Sequence, residues 1–541
     1  MAAQDSRAPA DARTRRGKGA RVLALAAVVV LTAGPVAGCS GSGERADGGD
    51  PTSPPSASAA RPGDAAPGDG DSPALPSSLT DQRLDWGRCR AHAGSPAPGS
   101  DWQCATLKAP LDYAEPTGPT IDLALIRTKA RGDRSERIGS LLFNFGGPGG
   151  SGVDLLPAFA PQYSKLRERY DLVSFDPRGV SASRGLRCRS DKELRAAESV
   201  DLTPDTKAEE TAYLRDAVAF GKGCGKQAGA LLAHVSTTEA ARDMDLMRGA
   251  LGDKKLHYMG VSYGTELGGI YAHLFPGKVG RLTLDAVVDP TAGRIEQAEN
   301  QARGFQRALE NYFRSRGKDP EEGAREVAAL LKKLDGKPLS VPGGRELNES
   351  LATTGIAVTL YSKNSWLALT RALRDTERGD GSTLLALADS YNDRDASGRY
   401  GTASHSQRAI SCLDDKVRPT VRETKERLAK FREISPVFGS YMGWDTAGWC
   451  RDWPVPGQWD DPDVSARGAA PVLVVGNTGD PATPYEGARR MADELGKGVG
   501  VELTWKGEGH GAYGSGSACV DSAVDAYLLE GRIPRDGKVC S

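Results

Sequence analysis

Residues 256–264 read Leu256-His257-Tyr258-Met259-Gly260-Val261-Ser262-Tyr263-Gly264, an apolar run that ends in the pattern G-x-S-x-G. In this pattern a tight turn between a strand and a helix lifts a serine clear of a sheet, and the glycines leave space for the turn. The pattern alone is weak evidence, since about half a chance match is expected in a chain so rich in glycine. Here it is the only match, it follows an apolar strand, and it opens a helix whose N-terminus stabilises a developing oxyanion. The sequence therefore predicts Ser262 as a nucleophile.

Outside this turn, short apolar runs alternate with helical stretches, which is typical of a mostly parallel sheet with helices on both faces. The predicted strands are residues 140–145, 170–175, 255–259, 281–288, 471–475 and 501–505. From about 290 to 453 the strand pattern fades and helical segments dominate. A helical cap inserted over the carboxyl ends of the strands, where ligands bind, explains this change. We therefore expect an α/β fold with core segments at 81–290 and 454–541 and a helical cap at 291–453.

A glycine-rich loop, Gly146-Gly147-Pro148-Gly149-Gly150-Ser151-Gly152, follows the predicted strand at 140–145. Because its glycines have no Cβ atoms, the backbone N–H groups can approach a substrate and form one half of an oxyanion hole. No Gly-Lys-Ser or Gly-Lys-Thr follows, which argues against a phosphate-binding loop. The predicted oxyanion donors are the N–H groups of Gly147 and Tyr263, with Gly146 as the alternative to Gly147.

The general base is expected late in the chain, because the α/β-hydrolase fold carries its catalytic residues in the order serine, acid, histidine. Of the six histidines, His510 lies on a glycine-rich loop after the last predicted strand. Asp480 follows the strand at 471–475, where its carboxylate can hold the imidazole in the right tautomer. Asp289 is the competing acid. The prediction is an α/β-hydrolase with the triad Ser262, Asp480 and His510 and with its cap between the nucleophile and acid strands.

The start of the chain resembles an export signal. Five basic residues lie between Arg13 and Arg21, and the apolar run 22–33 that follows is too short to span a membrane. Val36-Ala37-Gly38-Cys39 resembles a lipobox, in which cleavage leaves a cysteine that carries lipid through a thioether. We expect a signal peptide at 1–38, a lipid on Cys39, a disordered Pro/Gly/Ser tether at 39–80, and a catalytic domain on the outer face of the cell membrane. An ordinary signal peptide with a stray cysteine is the alternative.

Apart from Cys39 the chain has eight cysteines, an even number that predicts disulfides in an exported protein. They fall into local couples, and the predicted pairs are Cys89–Cys104, Cys188–Cys224, Cys412–Cys450 and Cys519–Cys540. A metal site is disfavoured, because no two of these cysteines stand two residues apart and no histidine is close to a pair. Lys plus Arg total 70 against 71 Asp plus Glu, so the charge balance gives no indication of nucleic acid as a partner.

Together these motifs resemble those of the secreted tripeptidyl aminopeptidases, relatives of prolyl aminopeptidase within the α/β-hydrolases, and of the lipoprotein proteases of that group. The resemblance runs from about Leu84 to the C-terminus, and besides the triad motifs it includes residues 144–152, 176–183, 409–414 and 450–454. It departs at Phe145, where the family usually has proline, while the glycines of the loop are intact. The resemblance implies acyl transfer to Ser262 and release of short peptides from peptide N-termini, without a metal or organic cofactor.

An aminopeptidase has to bind the free ammonium of its substrate, which calls for carboxylates taken partly out of water. Glu296, Glu299 and Asp414, all in the predicted cap, are the candidates. An esterase or lipase with the same triad is the alternative enzyme. A non-catalytic surface lipoprotein is the distant alternative, and it is disfavoured because all three triad positions and both oxyanion elements are present.

Overall fold

The computed structural model describes residues 73–91 and 96–541. The predicted signal peptide, the predicted lipid site at Cys39 and most of the predicted tether lie outside these residues. Within them, none of the helices is both long and apolar enough to cross a membrane.

The described residues form twelve strands, ten of which make one sheet. The strands are β1 (Gly87–Arg88), β2 (Gln103–Pro110), β3 (Thr120–Thr128), β4 (Gly139–Asn144), β5 (Tyr170–Phe175), β6 (Leu256–Val261), β7 (Val279–Asp285), β8 (Leu339–Val341), β9 (Arg345–Leu347), β10 (Val472–Gly479), β11 (Gly500–Glu508) and β12 (Lys538–Cys540). The sheet order is β1-β2-β3-β5-β4-β6-β7-β10-β11-β12, and β8 pairs with β9 in a separate hairpin. Pairing is antiparallel from β1 to β5 in this order and parallel from β5 to β12. The strand that leads to Ser262, β6, lies within the parallel part.

Sixteen α-helices accompany these strands in the described chain. They are α1 (Ser77–Thr80), α2 (Gly152–Phe159), α3 (Asp191–Ala197), α4 (Lys207–Ala228), α5 (Thr237–Ala250), α6 (Tyr263–Leu274), α7 (Arg294–Ser315), α8 (Pro320–Gly336), α9 (Glu349–Leu360), α10 (Trp366–Glu377), α11 (Ser382–Tyr391), α12 (Ala403–Asp414), α13 (Val421–Ile434), α14 (Gly439–Gly448), α15 (Glu486–Leu495) and α16 (Ala518–Glu530). Ser190, Thr206 and Thr420 form capping boxes that begin α3, α4 and α13. These side chains satisfy N–H groups that a helix leaves free at its start, so the sequence itself sets where the helices begin.

Strands in the parallel part are covered on both faces, and all residues of β4 and β5 are buried. Leu142 and Tyr258 pack into an apolar cluster with α5, α6 and α15, while Leu141 and Met259 pack into a second cluster with α2 and α16 on the other face. A strand covered on both faces needs a nearly continuous apolar run. All six strands predicted from such runs are present, with bounds that differ by a few residues.

The segment between β7 and β10 forms a helical cap with an apolar core of its own. Helices α7 to α11 and the β8–β9 hairpin contribute to this core, together with residues of α13 and α14. Phe305, Leu331, Leu351 and Phe438 are among its buried side chains. A separate apolar core makes these helices a second layer of the protein.

One helix of this segment, α12, packs on the sheet domain. Ala409, Ile410 and Leu413 are buried in the core cluster that also contains α5 and α6. Gln407 donates from Nε2 to the carbonyl oxygen of Gly147 at 3.1 Å. The chain therefore returns to the core for one helix inside the segment predicted as cap, because the apolar face of α12 is covered by the core helices.

The described part of the predicted tether contains a short helix, α1, whose Leu79 is buried. Folded chain therefore begins a few residues before residue 80, because this leucine finds a place against the domain.

Four disulfides join the pairs predicted from the sequence: Cys89–Cys104, Cys188–Cys224, Cys412–Cys450 and Cys519–Cys540. This part of the prediction is confirmed. The last of them ties α16 to the edge strand β12, and Cys412–Cys450 joins the C-terminal part of α12 to the chain just after α14.

Candidate active site

Ser262 lies at the turn between β6 and α6, at the carboxyl edge of the sheet. Its backbone has φ 58° and ψ −127°, a strained conformation for a residue with a side chain. A Cβ at Gly260 would lie 2.3 Å from the carbonyl oxygen of Gly264, and a Cβ at Gly264 would lie 2.6 Å from that of Asn144. Close packing thus requires both glycines of the G-x-S-x-G pattern. Such strain persists only where the surrounding structure fixes it, which is the arrangement expected of a nucleophile.

The glycine loop after β4 lies directly against this turn. A Cβ at Gly146 would be 2.8 Å from the Cβ of Ser262 and 3.2 Å from the backbone nitrogen of Tyr263. The N–H of Gly146 already donates to Asn144 Oδ1 at 3.0 Å. Gly147 N–H donates in none of the backbone hydrogen bonds found in the described chain, and Tyr263, as the first residue of α6, has no partner within its helix. These contacts favour Gly147 over Gly146 as the partner of Tyr263 in an oxyanion hole.

The structure brings His510 and Asp480 together across 30 residues of sequence. His510 Nδ1 lies 2.9 Å and 3.0 Å from the two carboxylate oxygens of Asp480. Asp480 is fully buried, and its Oδ1 also accepts the N–H groups of Ala482 and Thr483, both at 2.9 Å. The carboxylate is therefore fixed in place. Because Nδ1 faces it, Nε2 is the imidazole nitrogen left to act on a serine.

The competing acid, Asp289, is engaged elsewhere. Its carboxylate pairs with Arg490 at 2.7 Å and accepts the N–H of Thr291 at 3.0 Å. Asp289 therefore forms an ion pair and stabilises a turn. The carboxylate that contacts His510 Nδ1 belongs to Asp480.

Opposing effects act on the proton affinity of His510. Burial lowers the pKa of the imidazole and is the largest single effect. The charge of Asp480, its hydrogen bond to Nδ1 and the charge of Asp285 act in the other direction, and together they raise the pKa above its usual value. The imidazolium form is thus stabilised, as a base that must accept a proton during catalysis requires.

The cap reaches the histidine through Tyr361, which follows α9. The N–H of His510 donates to the carbonyl oxygen of Tyr361 at 2.8 Å. The two rings meet edge to face with centroids 5.3 Å apart, and Tyr361 in turn contacts Tyr391 at 6.4 Å between centroids. The base is therefore held by a cap residue as well as by the sheet. No local pattern in the sequence indicates this contact.

The loop after β5, residues 176–183, contacts the end of the glycine loop through Asp176 and Ser151. Arg178 is fully buried and donates to both carboxylate oxygens of Asp243 at 2.7 Å and to Glu239 at 3.0 Å. Asp176 accepts the hydroxyl of Ser151 at 2.7 Å, at the start of α2, and burial raises the pKa of Asp176 to about 6. Arg178 therefore holds this loop against α5 through buried ion pairs with two carboxylates.

Two of the acids predicted to bind a substrate amine already have cationic partners. Glu296 is half exposed and pairs with Arg490 at 3.1 Å. Glu299 is buried, but it lies between Lys430 at 2.6 Å and Arg427 at 3.4 Å. Their role in amine binding stays a prediction, and in this structure both charges are balanced from within the chain.

The third predicted acid, Asp414, lies at the end of α12 near the nucleophile helix. It accepts the N–H and the hydroxyl of Thr237 at 2.8 Å and 2.5 Å, and that hydroxyl is 2.6 Å from Tyr263 Oη. Glu266, in the first turn of α6, is a neighbour that sequence reasoning missed. Burial raises the pKa of Asp414 well above its usual value, with the charge of Glu266 adding to the effect. Burial, with the charge of Asp415 adding, raises the pKa of Glu266 to about 7.

Two groups of side chains in the described chain bring three possible metal ligands within 4.8 Å of one another. They are Asp112 with His234 and Glu239, and Asp201 with Asp335 and Glu349. The first group adjoins Arg178, which already supplies a positive charge to Glu239. Neither group includes a member of the predicted triad.

The mostly parallel sheet carries the strained serine and the buried histidine–aspartate pair at its carboxyl edge. Fold and site together define the class: the chain is a serine hydrolase of the α/β-hydrolase fold. Comparisons with known proteins narrow this class. A family model described as TAP-like protein matches residues 435–540.

Similarity to characterised proteins extends over most of the chain. Serine protease Hip1 of Mycobacterium tuberculosis is 38% identical over 484 residues, which cover 85% of this chain and 91% of that protein. Carboxylesterase B of the same species is 36% identical, covering 88% and 93%. Tripeptidyl aminopeptidase of Streptomyces lividans is 32% identical, covering 85% and 86%. The chain therefore belongs to the TAP-like family of α/β-hydrolases.

Proposed function

We propose that the chain is an exported, lipid-anchored serine aminopeptidase that releases short peptides, with tripeptides as the expected product, from the N-termini of its substrates. The observation that carries the serine-hydrolase part of this proposal is the buried His510–Asp480 pair at the same sheet edge as the strained Ser262. Relatives named serine protease and tripeptidyl aminopeptidase, at 38% and 32% identity, support it.

In the proposed reaction His510 Nε2 takes the proton of the Ser262 hydroxyl as its oxygen attacks the scissile carbonyl carbon. Asp480 holds the imidazole by Nδ1 and stabilises its charged form. The N–H groups of Gly147 and Tyr263 bind the oxyanion of the tetrahedral intermediate. His510 then gives the proton to the leaving amine, which departs as the shortened polypeptide. Water then attacks the carbonyl carbon of the acyl-enzyme while His510 takes its proton. His510 returns this proton to the Ser262 oxygen as the short peptide leaves.

A fluorophosphonate probe tests the nucleophile, because it phosphonylates only an activated serine. The wild-type chain should be labelled at Ser262 and lose peptidase activity in proportion. Ser262→Ala should fold but take up no label. Labelling of Ser262→Ala at wild-type rate, or an unlabelled and inactive wild-type chain, would overturn the assignment.

Recognition of the substrate ammonium is assigned to Glu266 with Asp414. Glu266 stands four residues after Ser262, about 6 Å along the helix, and helical side chains lean toward the N-terminus and so toward the nucleophile turn. In the described chain it has no hydrogen-bond or ion-pair partner, whereas Glu296 and Glu299 are paired with cations. A carboxylate without a cation beside it gains most from the arrival of an ammonium group.

Acetylated substrates test this recognition. Acetylating the N-terminus of a good peptide substrate should reduce kcat/KM by at least about 30-fold, or about 2 kcal/mol, because the charge is lost and the half-buried carboxylate of Glu266 stays unpaired. In Glu266→Gln the ratio of kcat/KM for free and acetylated peptide should fall toward one. Asp414→Asn, Glu296→Gln and Glu299→Gln are compared in the same way, with exposed Glu321→Gln as the control that keeps the wild-type ratio. Equal rates for free and acetylated peptides in the wild-type chain would exclude an aminopeptidase.

Esterase activity is the second candidate, because a relative named Carboxylesterase B is 36% identical over nearly the whole chain. The same triad also cleaves esters, so the two functions are distinguished by which substrate class has the higher kcat/KM. We expect a higher kcat/KM for free-amine peptide amides than for acyl esters with neutral, uncharged acyl groups. The reverse order would make the chain an esterase.

Membrane attachment is proposed on the lipobox-like residues that end at Cys39. Cys39→Ser should release active enzyme into the soluble fraction, because the tether separates the anchor from the catalytic domain. If the variant still sediments with membranes after a high-salt wash, the lipid-anchor proposal is wrong.

A further inference from the structure

Asp285, the last residue of β7, connects the nucleophile turn with the histidine loop. Its backbone carbonyl accepts the N–H of Ser262 at 3.0 Å. Its carboxylate accepts the N–H of Ala512 with both oxygens at 3.0 Å, and the N–H of Tyr513 at 2.9 Å. One residue therefore binds the backbone of the nucleophile and the backbone two and three residues after His510.

The position of Asp285 in the sheet explains how it reaches both loops. β7 lies between β6 and β10, and Asp285 is in register with Val261, just before the nucleophile, and with Val475 of the strand that leads to Asp480. It is 2% exposed, so it is held by its hydrogen bonds and not by water. Loops from both neighbouring strands and from β11 converge on this residue.

An acid suits this position better than an amide. A carboxylate is acceptor only, and here Oδ2 receives the N–H groups of both Ala512 and Tyr513 while Oδ1 receives that of Ala512 as well. An asparagine with its oxygen in the place of Oδ2 could accept both N–H groups, but its NH₂ group would then stand against the N–H of Ala512, donor against donor. Burial raises the pKa of Asp285 to about 6, with the charge of Asp480 adding to the effect, and the N–H groups of Tyr513 and Ala512 act against this rise because they bind the ionised form.

Charged groups near His510 come from few elements. Asp480 faces it from the loop after β10, Asp285 acts from the end of β7, and the cap contributes the uncharged Tyr361. Asp285 in turn interacts with Asp480 and with Tyr163, which follows α2. Asp285 is thus the second negative charge that stabilises the imidazolium form of His510.

We propose that Asp285 is a positioning residue of the catalytic site: its carboxylate fixes the loop that carries His510 to the strand beside Ser262, and its charge supports the protonated base. The proposal rests on Ser262 and His510 as nucleophile and base. It does not depend on whether the substrate is a peptide or an ester.

Asp285→Asn tests the proposal, with kinetics normalised to the amount of folded protein. Misplacement of the base by a fraction of an ångström to about 1 Å lowers rates by roughly 10- to 100-fold, so we expect a loss of that size in kcat with KM within about threefold. The rate of fluorophosphonate labelling should fall in parallel. The acid limb of kcat/KM should move to lower pH by on the order of 0.5 unit, because a charge that raises the pKa of His510 is removed.

Asp525→Asn is the matched control. Asp525 accepts the hydroxyl of Tyr513 at 2.7 Å and pairs with Lys165 at 2.8 Å, so its loss loosens the same loop without touching the bonds to Asp285. We expect this variant to lower Tm while its acid limb stays at the wild-type pH. If Asp285→Asn also lowers only Tm and keeps the wild-type kcat, labelling rate and acid limb, the proposal is overturned.

A charge-conserving variant covers the case in which Asp285→Asn does not fold. Asp285→Glu keeps the negative charge but displaces the acceptor oxygens by one methylene. The acid limb should stay in place while kcat falls at least about tenfold; an unchanged kcat would refute the positioning role. Failure of the proposed function itself is recognised separately, by labelling that persists in Ser262→Ala.

Discussion

Replacing Asp480 by asparagine removes the negative charge and puts an NH₂ donor in place of one carboxylate oxygen that faces His510 Nδ1. The shape of the side chain stays almost the same. Asparagine can still accept the N–H groups of Ala482 and Thr483 through its oxygen, which now meet Asp480 Oδ1 at 2.9 Å. Its NH₂ group would then face His510 Nδ1, where a carboxylate oxygen stands at 3.0 Å in the wild-type chain. This donor favours the tautomer in which Nδ1 accepts and Nε2 carries the ring proton, in competition with the amide oxygen, which would stay 2.9 Å from Nδ1 in the place of Oδ1. In that tautomer the imidazole can no longer take a proton from Ser262.

The size of the effect follows from this change of tautomer. In the triad of serine proteases the equivalent substitution reduces kcat by about 10⁴-fold, which is about 5.4 kcal/mol in transition-state free energy. We expect a loss of about 10³- to 10⁴-fold here, because Asp480 is fully buried and its carboxylate acts on His510 without screening by bulk solvent. Folding should suffer less, by about 1 to 2 kcal/mol, since the backbone hydrogen bonds to Asp480 Oδ1 can be kept.

Steady-state kinetics on a fluorogenic peptide, with the active enzyme counted by fluorophosphonate labelling, measure the effect. The remaining activity of Asp480→Asn should also show an acid limb at lower pH, because the charge of Asp480 raises the pKa of His510. Asp289→Asn is the matched control, since Asp289 pairs with Arg490 at the same edge of the sheet, and kcat should stay within about threefold. An Asp480→Asn variant that keeps a tenth of the wild-type kcat, or an Asp289→Asn variant that loses activity in its place, would refute the assignment of the acid.

Three further outcomes are expected. Ser262→Ala should reduce turnover of peptides and esters by several orders of magnitude with Tm unchanged or raised, because the strained turn no longer carries a working nucleophile; calorimetry with parallel kinetics checks both. In the wild-type chain kcat/KM should fall as pH drops through the pKa of His510, which Asp480 and Asp285 raise above its usual value, since only the neutral imidazole accepts the serine proton; a flat profile down to pH 4 would point to another base. Replacing both Cys412 and Cys450 by serine should lower the free energy of unfolding by roughly 4 kcal/mol for a loop of this length, whereas reduction of wild-type protein that leaves Tm in place would contradict a stabilising role.

Features that depend on local pattern could be predicted from the sequence. The central strands are buried on both faces and therefore appear as continuous apolar runs, and the triad residues follow the ends of such strands in a fixed order. Strands β2 and β3 are absent from the predicted strands, which rest on continuous apolar runs. In β2, Ala105, Leu107 and Ala109 are buried while Thr106 and Lys108 between them are exposed, a period of two that is itself typical of a half-buried strand.

Contacts between distant segments could not be predicted. Glu299 lies on the buried face of α7. Arg303 of the same helix is 3.6 Å away, but the two closer cations, Lys430 and Arg427, come from α13 more than a hundred residues later. Glu266 was missed because an acid in the first turn of a helix ordinarily serves the helix dipole. Its raised pKa depends on tertiary packing, because burial and the charge of Asp415 act on it and Asp414, at the end of α12, lies nearby.

The way His510 is held limits how a substrate can enter. Asp480 binds its ring from the loop after β10, Asp285 binds its loop from β7, and Tyr361 accepts its backbone N–H from the cap. A motion of the cap that displaced Tyr361 would break this last bond and move the edge of the ring that packs on the imidazole. The base would lose its position each time a substrate arrived. Access to Ser262 is therefore expected along a side of the cap that leaves the end of α9 in place.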